Sequence, residues 1–312
     1  MDAQLKIFSG GSHPALARDI CNYLGVPLGN SHTIEFSNEN MLVQIDENVR
    51  ECDVFVVQTS CPPVHKNLFE LLMMIDALRS ASAARITAVM PYFPYIRSDK
   101  KDRPRISITA RLVADLVETA GANRVLTMDL HTPQAQGFFR IPVDQLMAAA
   151  PICDRLKRED ISDWVMVAAD AGEAKDIGRY ANRLDLPIAI VDKRRIGDDE
   201  KPKAVNLIGD IEGKTALIVD DEIASGGTLV EASSFLKSKG ATRVVSAATH
   251  AVFSGSIRQR LDHGFVESVL VTDTIPIPPE KLSEKVEVLS VAGIFAKAIS
   301  RIHDGRSVSS LF

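Results

Sequence analysis

An excess of basic charge is missing from this chain. Its 312 residues carry 36 lysines and arginines against 41 aspartates and glutamates, a formal net charge of −5. That speaks against a nucleic-acid binder working through bulk charge. Cysteine is scarce: Cys21, Cys52, Cys61 and Cys153, with no Cys-x-x-Cys spacing. The four read as reduced, mostly buried thiols of a cytoplasmic protein, not as disulfides or a zinc site. There is no run of 18 apolar residues, so no membrane span is expected. The opening residues hold no long apolar signal segment, and short repeats and low-complexity linkers are absent. What is left, 46% hydrophobic and 25% charged residues, is ordinary soluble composition, long enough for about two domains with separate cores.

Strand-like and helix-like segments alternate along it. Leu5 to Phe8 reads as a strand and Ser9-Gly10-Gly11-Ser12 as a turn; Ser12 with Pro14 marks a helix start. Leu16, Ile20 and Leu24 share one helix face until Gly25 ends it. A hairpin region spans Thr33 to Val49. Asp53 to Gln58 and Arg85 to Met90 read as parallel-type strands around a long helix near Asn67 to Ala81, and Arg124 to Met128 closes this half. The second half repeats the plan: Trp164 to Ala168, a helix, Pro187 to Val191, a strand ending at Asp220, a helix, then Val244 to Ala248. The class is α/β, mostly parallel, with the crossing point at Leu146 to Ala150.

Thr215 to Leu229 is the most informative stretch. The apolar run Ala216 to Val219 suits a strand buried on both faces, and it meets two carboxylates, Asp220 and Asp221. The end of such a strand is where open parallel sheets place ligands. Ala224, Ser225, Gly226, Gly227 and Thr228 form a small-residue loop before a helix pattern at Leu229, Val230, Ala232, Phe235 and Leu236. Glycine lets backbone approach a ligand closely, and a helix N-terminus suits a phosphate. Ser225 and Thr228 add hydroxyl donors, and the two acids can accept from a pair of sugar hydroxyls. The stretch therefore reads as a sugar-phosphate pocket, against the plainer alternative of a βα turn with an acidic cap. It resembles the phosphoribosyl-diphosphate loop of the type I phosphoribosyltransferase fold, with Glu222 where an aliphatic residue is usual.

His131, just past a strand, could ligate a metal or donate to a phosphate; a lone histidine there could equally be structural. Its neighbours carry more. Asp129-Leu130-His131, Gln134, Gln136-Gly137-Phe138-Phe139 and Pro142-Val143-Asp144 together resemble the ribose-phosphate diphosphokinases, the phosphoribosyl-diphosphate synthases. Further likenesses to that family run along almost the whole chain: Ser12-His13-Pro14, the helix Glu70 to Leu78, Pro91-Tyr92-Phe93, Asp192-Lys193-Arg194-Arg195, Thr272 to Pro276 and Val308 to Phe312.

The resemblance implies two tandem type I phosphoribosyltransferase-like domains, each a mostly parallel sheet flanked by helices. The expected bounds are 1–147, with the nucleotide segments, and 148–312, with the ribose 5-phosphate loop and a tail able to pack back on the first domain. It implies transfer of diphosphate from ATP to the C1 hydroxyl of ribose 5-phosphate, with AMP leaving. By the family pattern, Asp220, Asp221 and Ala224 to Thr228 bind the sugar phosphate; His131 and Asp170 hold Mg²⁺; Lys193 and Arg195 close over the transferring group. Arg97, Ser98, Asp99 and His131 meet the nucleotide. So do Phe36, Asn38 and Asn40, supplied by a neighbouring subunit, although the family usually has Phe-Ser-Asp-Gly-Glu there. Ser98 replaces a common glutamine and Glu173 a common glycine. The family also implies a homo-oligomer, a hexamer built from dimers, with an anion site for Arg79, Ser80, Ser309 and Ser310. Two rivals stand beside this reading: a phosphoribosyltransferase that consumes the product, and a non-catalytic relative that regulates an active synthase. For the second, Lys193, Arg195 and His131 are all present, where their loss would have favoured it.

Overall fold

A computed structural model of the chain describes residues 3–168, 174–194 and 203–311. Two compact units divide it. The first comprises Met1–Met147, Thr274–Pro276 and Ser290–Phe312; the second comprises Ala148–Asp273 and Ile277–Leu289.

In the first unit the elements are β1 (Leu5–Ser9), α1 (Pro14–Leu24), β2 (Ser31–Glu35), β3 (Met41–Ile45), β4 (Asp53–Val57), α2 (Val64–Ser80), β5 (Arg85–Met90), α3 (Thr109–Ala120), β6 (Arg124–Met128) and β7 (Val143–Leu146). Five strands form a parallel sheet in the order β1-β4-β5-β6-β7, while β2 and β3 pair antiparallel as a separate ribbon. The sheet therefore extends one strand beyond Arg124 to Met128, where the sequence reading closed it. β7 is short and half polar, which hides it from an apolar-run criterion.

Phe8, Val54 and Val56 pack with Leu71, Met74, Ile75 and Leu78 of α2 and with Val113 and Val117 of α3. Side chains alternate along strands, so Ile7 and Phe55 bury the opposite face, where α1 lies against β1. The start of α1 differs from the sequence expectation. His13 is its cap residue, with Nδ1 accepting from the Leu16 N–H at 3.3 Å. The Ser12 hydroxyl is spent elsewhere, donating to Gln58 Oε1 at 2.6 Å and accepting from the Thr59 N–H at 2.9 Å.

The second unit contains α4 (Ala149–Leu156), β8 (Trp164–Ala168), α5 (Ala174–Leu184), β9 (Ile188–Arg194), β10 (Lys203–Ile208), β11 (Thr215–Ile223), α6 (Gly227–Ser238), β12 (Arg243–Ala251), α7 (Ile257–His263), β13 (Ser268–Thr272) and β14 (Val286–Leu289). Its sheet runs β10-β9-β8-β11-β12-β13-β14. Among the described strands of this sheet only β10 runs antiparallel. The chain then enters α8 (Ala292–His303), which packs on α1 in the first unit.

The two units follow one plan. Strand, helix, antiparallel pair, strand, helix, strand, helix and two strands recur as β1 to β7 and as β8 to β14. They differ in the pair. In the second unit β9 adds to the sheet beside β8; in the first, β2 and β3 stand apart and only a single bridge, Ile7 to Leu28, marks that edge. All four cysteines are free and buried, and no described helix is long and apolar enough to cross a membrane.

Candidate functional site

The sheet of the second unit has a reversal point. From β8 the chain goes to β9 on one side and then to β11 on the other. Open α/β sheets leave a crevice at the carboxyl ends of two such strands. Residues 169–173, which include the sequence-predicted metal ligand Asp170, come next in the sequence after β8 and lie outside the described residues.

β11 does not stop at its acids. Its pairing with β8 ends at Ile218, but its pairing with β12 continues through Asp220 to Ile223. Successive side chains of extended backbone leave on opposite faces, so Asp220 and Asp221 straddle the strand end. Each is oriented by the next amide: Asp220 Oδ1 accepts from the Asp221 N–H at 2.8 Å, and Asp221 Oδ1 from the Glu222 N–H at 2.9 Å.

The loop follows directly. Gly226 is the cap residue of α6, with φ 73° in the left-handed region. A Cβ there would lie 2.3 Å from Ile257 Cδ1, so another residue would be strained in its backbone and would have to displace the Ile257 side chain. The first helical bond runs from Val230 N–H to Gly226 O; the amides of residues 227–229 precede it, as at any helix start. Ser225 and Thr228 are exposed beside them. The segment after β12 backs the loop: Phe253 N–H donates to Ile223 O at 3.1 Å and Ser254 N–H to Ala224 O at 3.0 Å. Arg260 of α7 donates to Ser225 O at 2.7 Å. Nothing in the sequence reading pointed to Arg260, because the contact joins residues 35 apart and no local pattern announces it.

Apart from Lys193, the remaining described candidates belong to the first unit. Arg97, Ser98 and Asp99 follow β5 and His131 follows β6, at the carboxyl ends of neighbouring parallel strands. Tyr95 has φ 56° and its hydroxyl lies 2.7 Å from His65 Nδ1; the Ser98 N–H then bonds Tyr95 O at 2.8 Å, forming the turn that presents Arg97. Ser98 faces inward to the start of α3, donating to Ser107 O at 3.2 Å and accepting from the Thr109 N–H at 3.4 Å. His131 is exposed, carried outward by buried Leu130 and by Asp129 at φ 34°.

Phe36, Asn38 and Asn40 sit at the turn of the separate ribbon, where Phe36 N–H bonds Asn40 O at 2.8 Å; Phe36 is 48% exposed. Arg79 donates to Asp76 at 2.5 Å and to Thr119 O at 3.1 Å. Ser80 ends α2. Ser309 and Ser310 bond Ser307. No bond among the described residues gathers these four into one cluster. Lys193 lies in β9 by its backbone; its side chain and all of Arg195 lie outside the described residues. No group of three or more metal-ligating side chains occurs among the described residues.

Comparison with known proteins adds the following. Residues 5–121 match the family profile of the N-terminal domain of ribose phosphate pyrophosphokinase, and residues 194–312 that of the phosphoribosyl synthetase-associated domain. The ribose-phosphate pyrophosphokinase of Deinococcus radiodurans is 50% identical, covering 99% of this chain and 98% of that protein. The one from Caldanaerobacter subterraneus is 48% identical with the same coverage. Among solved structures, phosphoribosylpyrophosphate synthetase from Mycobacterium smegmatis superposes with a TM-score of 0.92 at 39% identity, covering 97% of this chain and 99% of that one.

Proposed function

The chain belongs to the ribose-phosphate pyrophosphokinase family, and on that premise we propose how its residues divide the reaction. It is a diphosphotransferase, joining ATP and ribose 5-phosphate to give 5-phospho-α-D-ribose 1-diphosphate and AMP. A bond forms between the C1 hydroxyl oxygen and the β-phosphorus, the bridge to the α-phosphate breaks, and the hydroxyl proton leaves. Such a transfer depends on positioning and charge stabilisation.

The second unit takes ribose 5-phosphate. Its 5-phosphate lies in the loop Ala224 to Thr228 at the start of α6, and its hydroxyls meet Asp220 and Asp221. The observation that carries this is the coincidence of three features at one strand end: the sheet's reversal point, the acidic pair, and a glycine-capped helix start. The first unit takes the nucleotide. Arg97 has the fork for bidentate phosphate contact, Asp99 and His131 flank it, and Ser98 supports the turn. Phe36, Asn38 and Asn40 meet the base from a neighbouring copy. Lys193 and Arg195 close over the transferring group and stabilise its charge.

Magnesium supplies charge neutralisation across phosphate oxygens when bound. An exposed imidazole and one carboxylate suit an ion that keeps water and phosphate oxygens as its other ligands, and His131 and Asp170 would hold it. The working form is a cytoplasmic homo-oligomer, a hexamer built from dimers, supported by the free thiols and by the exposed apolar residues Ile34, Phe36 and Leu42 on the ribbon. Arg79, Ser80, Ser309 and Ser310 serve an anion site that forms only on assembly.

The deciding experiment measures AMP release with both substrates varied. Wild type should release AMP only when ribose 5-phosphate is present, and His131→Ala should lose most of that activity. Thr228→Ala should raise KM for ribose 5-phosphate about tenfold while leaving KM for ATP alone, as for one lost hydrogen bond to a charged group. Equal effects on both substrates would remove the sugar phosphate from this loop.

A further inference from the structure

Three successive carbonyls, the last of β11 and the first two of the sugar-phosphate loop, turn to a single segment. Ile223 O accepts from Phe253 N–H at 3.1 Å, Ala224 O from Ser254 N–H at 3.0 Å, and Ser225 O from Arg260 Nη1 at 2.7 Å. A trans peptide unit is planar, with its C=O and N–H pointing in opposite directions. Fixing these three carbonyls toward the segment after β12 therefore fixes the amides of Ala224, Ser225 and Gly226 to face away from it. Successive amides turned to one side make an anion-binding concavity. Two of the three anchors are backbone groups of the segment itself. The third is a side chain on α7, and its peptide is the one that enters Gly226, where φ is 73°.

Charge favours the same role. Asp220, Asp221 and Glu222 set three carboxylates just ahead of a loop that must accept a phosphate dianion. The Arg260 guanidinium lies alongside the loop backbone, with Nη1 3.6 Å from where a Cβ on Gly227 would stand. Buried Ile257, one turn earlier on α7, is the residue a Cβ on Gly226 would strike. Arg260 is itself exposed, so its place is not explained by core packing.

We propose that Arg260 is the positioning residue of the ribose 5-phosphate loop: it holds the Ser225 carbonyl out of the phosphate's way and aims the Gly226 amide into the pocket. This rests on the placement of the sugar phosphate at residues 224–228. The residue acts through the loop and takes no part in the transfer, so its signature is a split between KM and kcat.

The test compares Arg260→Met, Arg260→Lys and Thr228→Ala in steady-state kinetics with each substrate varied, together with calorimetric titration of ribose 5-phosphate. Arg260→Met should raise KM and Kd for ribose 5-phosphate about tenfold, the lower end for a charge-assisted hydrogen bond. Its kcat and KM for ATP should stay within about twofold of wild type. Arg260→Lys keeps the charge and one donor and should recover most of the affinity; failure to recover any would overturn the role of the charge. A fall in kcat with unchanged sugar-phosphate affinity would overturn the proposal in favour of transition-state contact. Unchanged affinity in Arg260→Met beside a weakened Thr228→Ala would overturn it while keeping the loop as the site. Unchanged affinity in both would overturn the loop placement as well.

Discussion

Two turns hold equivalent places in the two units and have opposite chemistry. One leads from β4 into α2, the other from β11 into α6. After β11 the chain runs Ala224-Ser225-Gly226-Gly227, and α6 opens on glycine with its leading amides intact. After β4 it runs Gln58-Thr59-Ser60-Cys61-Pro62-Pro63, and the two prolines remove two N–H donors. The Gln58 side chain is knotted into the first turn. Its Oε1 accepts from the Ser12 N–H at 3.0 Å, and its Nε2 donates to Asn67 O at 3.0 Å and to Glu70 at 2.7 Å. Buried Glu70 also accepts from the Gly11 N–H at 2.9 Å and the Thr33 hydroxyl at 2.6 Å. One turn is thus closed around a carboxylate, and the other is open beside a guanidinium. A shared strand–turn–helix plan does not make a phosphate site. The donors left at the turn and the sign of the nearest charge do.

The strand pairs that precede these turns differ too, and the largest expected effect lies there. The pair β9–β10 stays in its sheet and carries Lys193 next to the reversal point, whereas β2–β3 leaves its sheet and carries Phe36 outward. Lys193→Ala and Arg195→Ala should each lower kcat by about 10²–10³ while barely changing ribose 5-phosphate binding, as for a charge-stabilising donor removed from a transition state. Phe36→Ala should instead act mainly on KM for ATP. If the Lys193 variant weakened binding and rate equally, the two pairs would both be ground-state binding devices and the contrast would break.

Next in size is a pair of substitutions that should fail in different ways. Gly226→Ala forces a side chain into left-handed backbone, at a cost of roughly 1–2 kcal/mol, and drives a methyl against Ile257. It should raise KM for ribose 5-phosphate by tenfold or more. Glu70→Ala strands three donors in the first unit and should lower stability by about 3 kcal/mol, seen as an earlier denaturant midpoint, with no selective change in that KM. A selective loss of sugar-phosphate affinity in Glu70→Ala would show that the closed turn also serves the ligand.

The sequence made one of these turns legible and hid the other. Asp220 to Thr228 is a local pattern, strand, acids, glycines and helix, and each piece can be read where it stands. The apolar runs at β4, β5, β8 and β11 were readable for the same reason: parallel strands covered on both faces are nearly all apolar. The knot around Glu70 joins residues from four parts of the first unit, and Arg260 reaches its carbonyl across 35 positions. Such contacts depend on the sheet order, which no window of the sequence contains. Ser12 misled for a related reason. It has the chemistry of a helix cap, but Gln58 and Thr59 compete for its hydroxyl, and His13 caps the helix instead. The strand through Asp220 and Asp221 continued past its apolar run because β12 supplies backbone partners as far as Ala251, a nonlocal cause again.

The smallest expected effect would locate the damage within the chain. Burial pushes the thiols of Cys21, in α1, and Cys153, in α4, up to about 11. A group so raised stays protonated at pH 8, leaving about one part in a thousand as the reactive thiolate. Alkylation by iodoacetamide should then report opening of the surrounding structure. In Glu70→Ala, peptide-resolved mass spectrometry should find Cys21 modified several-fold faster, with Cys153 within about twofold of wild type. Gly226→Ala should change neither, since its strain is confined to the loop before α6. Acceleration of Cys21 and Cys153 together in Glu70→Ala would mean that the polar knot supports more than its own unit. The two turns would then differ in chemistry but not in how far their loss is felt.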